Sequence, residues 1–71
     1  MTSDPSERET QILDFIAEFV AERGFPPTVR EIGEGLGLSS PGTVHAYLTN
    51  LVDAGYIERV PGSPRAIRLL T

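Results

Sequence analysis

The sequence predicts a mainly α fold in which three helices are followed by a two-stranded antiparallel β-hairpin. Three observations predict it. Apolar residues recur at helical spacing in three separate stretches, each preceded by a hydroxyl residue suited to capping and each closed at a glycine. The C-terminal stretch then alternates with period two on both sides of a Pro61-Gly62-Ser63-Pro64 turn cluster. The 71 residues contain no cysteine, so neither disulfides nor thiolate metal sites can staple so small a core.

The first helix is expected over 6–23. Ile12, Leu13, Ile16, Phe19 and Val20 fall on one face, and Asp14, Glu18 and Glu22 form an acidic stripe on the other, which reads as a solvated surface. Ser6 to Glu9 offers a capping box, Gly24 is a stop, and Arg23 is expected to pair with the acids of this helix. Phe25-Pro26-Pro27 forces an extended link. Thr28 and Glu31 form a second capping box, opening a helix over 28–35 that buries Val29, Ile32 and Leu36. Gly35 and Gly37 are expected to close it, Gly37 in a positive-φ position, with Leu38 turning back into the core. Ser40 is placed to cap a third helix over 41–54, with Pro41 at its first position, where a missing N–H costs nothing. Val44, Leu48, Leu51 and Val52 form its buried stripe. Gly42, Ala46, Thr49, Asn50 and Asp53 lie opposite, flanked by Thr43 and His45. Tyr56 to Val60 reads as a half-buried strand and Ala66 to Leu70 as its return, giving a hairpin over 56–70. No repeat, low-complexity segment or boundary divides residues 1–71, so one domain is expected.

Net charge is −4 and the isoelectric point about 4.7. The acid is concentrated: residues 1–35 hold eight acidic residues against three arginines, residues 36–71 two against three, and there is no lysine. No apolar run approaches the ~20 residues needed to span a bilayer, and the polar N-terminus lacks a signal-peptide core, so a soluble, cytoplasmic protein is expected. With no nucleophile–base pair, histidine or cysteine cluster, or phosphate loop, an enzyme is not expected, nor is a cofactor, a small-molecule substrate or a metal.

Helix, helix, tight turn, helix, hairpin is the order of a winged helix-turn-helix. In that arrangement the third helix enters the major groove of DNA and its N-terminal half meets base edges. Its outward face suits the task. Gly42, Thr43 and Ala46 are small enough for close approach. Ser39, Ser40, Thr43, His45, Thr49 and Asn50 supply donors and acceptors without a bulky charge. His45 has two readings, a base or phosphate contact and a partly exposed surface histidine. Arg65 at the wing tip and Arg8 and Arg30 at helix starts are placed for phosphates. A winged-helix module used for protein contacts is the alternative, since an acidic surface is easier to explain there, and a different transcription regulator is a further one.

The segment Pro26-Pro27-Thr28-Val29-Arg30-Glu31-Ile32 resembles the DNA-binding domain of the LexA repressors. The likeness continues through Gly37-Leu38-Ser39-Ser40-Pro41, Thr43-Val44-His45, Leu48 and Gly55-Tyr56-Ile57 to the closing Pro64-Arg65-Ala66-Ile67-Arg68-Leu69-Leu70, covering roughly 6–70. The resemblance implies a transcriptional repressor of DNA-damage (SOS) genes that binds a palindromic operator as a dimer, one domain per half-site. Thr43-Val44-His45 looks like the Gram-positive variety of the recognition helix, which implies a GAAC…GTTC-type operator. By the same resemblance Ser40, Gly42, Thr43, His45 and Ala46 contact bases. Arg8, Thr28, Arg30 and Arg65 contact backbone, joined by Ser39 at the start of the recognition helix. Two departures stand out. The self-cleaving serine–lysine peptidase domain of the family, which also supplies dimerisation, is absent from these residues, so a weak dimer or none is expected away from DNA. Asp53-Ala54 stands where many relatives carry basic residues.

Overall fold

The computed structural model describes residues 6–60, 62 and 67–70. Three helices, α1 (Glu7–Arg23), α2 (Val29–Leu36) and α3 (Pro41–Asp53), precede two short strands, β1 (Ile57–Arg59) and β2 (Ile67–Leu69). This is the winged helix-turn-helix order that the sequence predicts. Among the described residues no helix is long and apolar enough to cross a membrane.

α1 begins where Ser6 Oγ accepts the Glu9 N–H at 3.2 Å while Glu9 Oε1 accepts the Ser6 N–H at 2.9 Å. That reciprocal pair satisfies two amides that a helix start otherwise leaves without partners. Ile12 and Ile16 are fully buried, and Leu13 and Phe15 pack against them. Val20 departs from the expected apolar face and lies exposed. The rings of Phe15, Phe19 and Phe25 instead follow one another at 5.9 and 6.0 Å, and Arg23 lies 4.7 Å over the Phe19 ring, an aromatic partner where an acidic one was expected. The ring's negative face attracts the guanidinium without requiring a carboxylate.

The link then buries Pro27 completely. Thr28 and Glu31 repeat the capping box at 3.1 and 2.8 Å, opening α2. Gly35, expected as part of the helix stop, lies inside α2, because its role is set by α1. A Cβ at this position would come within 2.2 Å of Phe15 Cε2. Its missing side chain lets the two helices approach. The stop is Gly37 alone, at φ 70°, a left-handed conformation that costs a glycine nothing. The Leu38 N–H then bonds the Gly33 carbonyl at 2.8 Å, which turns Leu38 onto the core and sets the entry angle of α3.

α3 buries Val44, Leu48 and Leu51 and partly covers Val52. It ends one residue earlier than expected, and the Tyr56 N–H closes on the Leu51 carbonyl at 3.0 Å. The strands pair antiparallel with Ile57 opposite Leu69, Glu58 opposite Arg68 and Arg59 opposite Ile67. Tyr56, Val60 and Leu70, expected within the strands 56–60 and 66–70, lie outside them, although the Leu70 N–H still reaches the Tyr56 carbonyl at 2.9 Å; Ala66 falls outside the described residues. Ile57 and Ile67 complete one continuous core with Ile12, Ile16, Ile32, Val44, Leu48 and Leu51. Burying such side chains contributes about 1.5–3 kcal/mol each before ordering costs.

Candidate nucleic-acid interface

With Val44, Leu48 and Leu51 committed to the core, the helical period turns Gly42, Thr43, His45, Ala46, Thr49, Asn50 and Asp53 outward, and all of them are exposed. Ser39 and Ser40 extend the same exposed run into the turn before the helix. The result is a continuous surface from Ser39 to Ala46, interrupted only by buried Val44 and carrying no carboxylate.

The start of α3 differs from the expectation that Ser40 caps it through its side chain. Ser40 holds the N-cap position with extended backbone (φ −109°, ψ 118°), and its carbonyl accepts the Thr43 and Val44 N–H groups at 3.1 and 3.3 Å. Its hydroxyl makes no cap bond. Both other helices carry a glutamate three residues after the cap to return the bond. Here Thr43 occupies that place, and no acidic residue lies in the first turn. The Ser40 hydroxyl is therefore available to a ligand at the positive end of the helix.

An open groove of about 540 Å³ runs between α2 and α3. It is lined by apolar Val29, Leu38, Pro41 and Val44 and by polar Arg30, Glu34, Ser39 and His45. The fold thus brings Arg30 from α2 beside the start of α3. Arg30 Nε pairs with Glu34 Oε2 at 3.5 Å within its own helix, both side chains well exposed at 87% and 67%. An exposed pair of this kind is worth about 0–1 kcal/mol and exchanges readily for another anion. The Thr28 hydroxyl already accepts the Glu31 N–H, which leaves its own proton to donate. Arg8 stands apart at the start of α1, half-buried, with Nη1 donating to Gln11 Oε1 at 3.2 Å. Arg65 lies outside the described residues.

One further cationic side chain, which the sequence did not single out, lies against α3. Arg59 Nη2 donates to Thr49 Oγ1 at 3.4 Å, and the Thr49 hydroxyl donates in turn to the His45 carbonyl at 2.9 Å. The strand's period of two puts Arg59 on the same side as Ile57, the side facing α3, whereas Glu58 and Arg68 form an ion pair on the opposite side. That alternation was the available signal.

The arrangement has the chemistry of a reading surface. Hydroxyls, an imidazole and an amide stand on a rigid helix, open to an extended ligand along its length, with cations nearby.

Residues 2–66 match the family model of the LexA DNA binding domain. The LexA repressor of Carboxydothermus hydrogenoformans is 51% identical over 65 residues, which cover 92% of this chain and 32% of that protein. The LexA repressor of Geobacillus sp. (strain WCH70) is 55% identical over 65 residues, 92% of this chain and 31% of that protein. For the LexA repressor of Desulfitobacterium hafniense (strain DSM 10664 / DCB-2) the figures are 49% over 70 residues, 99% and 34%. The chain spans about a third of the length of these curated relatives.

Proposed function

Because this chain belongs to the LexA DNA-binding domain family, we propose that it is the operator-binding domain of a bacterial repressor of DNA-damage genes, acting at the nucleoid in the cytoplasm. The observation that carries the reading is the exposed, carboxylate-free run from Ser39 to Ala46 at the uncapped start of α3. In this reading Ser40, Gly42, Thr43, His45 and Ala46 meet base edges. The hydroxyls and imidazole hydrogen-bond them, and Gly42 and Ala46 let the backbone lie close. Arg8, Thr28, Arg30, Ser39 and Arg65 hold phosphates and fix the register, Arg30 exchanging Glu34 for a phosphate oxygen. The operator is a GAAC…GTTC palindrome bound by two copies, one per half-site, which associate weakly or not at all without DNA.

Fluorescence anisotropy on a duplex carrying that palindrome and on a scrambled duplex, titrated with salt, tests the proposal. Tighter binding to the palindrome is expected, with an affinity that falls steeply as salt rises, because each neutralised phosphate releases counterions. Equal affinity for the two duplexes would remove the operator assignment. Absence of binding to either at low salt would return the fold to the protein-contact reading.

A further inference from the structure

We propose that Arg59 is a phosphate-binding residue that anchors the C-terminal half of α3 to the DNA backbone, an inference that rests on the DNA-binding reading above. Arg59 occupies an unusual place for a charge. Its neighbours on the same side of the hairpin, Ile57 and Ile67, are 1% and 2% exposed, yet Arg59 itself is exposed. The side chain leaves the core side of β1 and reaches α3, where Nη2 meets the Thr49 hydroxyl. That hydroxyl is oriented by its own bond to the His45 carbonyl, so a continuous chain runs from a base-facing residue of the helix to the guanidinium.

Among the described arginines, Arg30 pairs with Glu34 and Arg68 with Glu58, Arg23 lies over Phe19, and Arg8 donates to Gln11 at the start of α1, away from the second half of α3. Arg59 contacts a neutral hydroxyl at the long distance of 3.4 Å, which restrains its direction and consumes none of its charge. It also supplies a cation to the half of α3 that ends in Asp53 and has no basic residue in its last turn.

The dimensions favour a phosphate over a base. Thr49 lies eight residues beyond Pro41, about 12 Å along a helix that rises 1.5 Å per residue. The major groove is itself about 12 Å wide. With the first turns of α3 among the base edges, a guanidinium beside Thr49 stands level with the strand that walls the groove. Its planar donors suit phosphate oxygens there.

The test compares the unmodified chain with Arg59→Ala, Arg59→Lys and Thr49→Val on the palindromic and scrambled duplexes across a salt series, with thermal unfolding recorded for each. For Arg59→Ala, affinity for both duplexes is expected to fall by the same factor, roughly five- to tenfold near 0.1 M salt, and the slope of log K against log salt to become shallower by about 0.9. Arg59→Lys keeps the charge and is expected to keep the slope. Thr49→Val keeps the slope and loses about twofold in affinity, because only the restraint is removed. Arg59→Gln, close in length, repeats the measurement should the alanine variant fail to fold. An unchanged slope in Arg59→Ala or its glutamine substitute overturns the proposal, and so does a loss confined to the palindrome, which would make Arg59 a base reader. Neither of those results touches the DNA-binding reading. That reading fails separately, and this inference with it, when the unmodified chain binds neither duplex.

Discussion

The starts of α2 and α3 are built from similar parts and finished differently. Each has a hydroxyl residue at the cap, Thr28 and Ser40, with extended backbone, and each lies against the other across one groove. At α2 the third residue is Glu31, and the capping box closes on both sides. At α3 the third residue is Thr43, the first is proline, and the hydroxyl of Ser40 makes no cap bond. The difference separates two uses of one local pattern. α2 satisfies its own end with its own side chains. α3 leaves its end without a side-chain cap, open to the ligand proposed above, and is held by Val44, Leu48 and Leu51 in the core. Tertiary packing of an apolar face can replace a cap, since it supplies most helical stability in folded proteins.

The comparison can be tested by making each helix more like the other. The largest effect is expected from Thr43→Glu, which gives α3 the acid that α1 and α2 carry. A completed box with Ser40 is worth about 1 kcal/mol, which in a chain of this size raises the melting temperature by roughly 4–8 °C. The new carboxylate would stand on the proposed DNA-reading face, and palindrome affinity is expected to drop by about 1–3 kcal/mol, some five- to two-hundredfold. A variant that melts higher and still binds would show that the open end has no part in recognition. Thr28→Ala comes next. It removes a cap bond that exists and is expected to cost about 1 kcal/mol in urea unfolding, within a range of 0.5–2. Ser40→Ala removes a hydroxyl with no cap bond and is expected to change stability by less than about 0.5 kcal/mol while weakening palindrome binding. Equal stability losses from the two alanine variants would break the comparison, because Ser40 would then be acting as a cap.

Much of this architecture is local and was therefore legible along the chain. Ile12 and Ile16, Val44 and Leu48, and the two capping boxes announce their helices through spacing alone, and Gly37 announces the turn between α2 and α3. What could not be read depends on neighbours distant in sequence. Gly35 resembles a helix stop until Phe15 of α1 is placed against it. Arg23 has acids one turn away, yet the ring of Phe19 receives it. Pro27 is a breaker in sequence and a fully buried core residue in space. The candidate interface divides in the same way. The run from Ser39 to Ala46 is contiguous and was visible, as an exposed face opposite a buried stripe. Arg59 was hidden, because its nearness to Thr49 depends on strand register and on how β1 sits against α3. Arg65 lies outside the described residues, and its place at the wing tip is an expectation of the sequence.

The hairpin also has a mechanical consequence. Ile67 of β2 shares one core with Ile12 and Ile16 of α1, so the hairpin fastens the first helix. That contact closes a loop of roughly fifty residues, at an entropic cost about 2 kcal/mol above that of a five-residue loop. The hairpin is thus a clasp as much as a wing: it covers part of the apolar side of the first helix, and the two elements are expected to open together. A ligand held at the hairpin is therefore expected to slow hydrogen exchange in α1, a helix to which no base contact is assigned, because binding to the closed form draws population away from the open one.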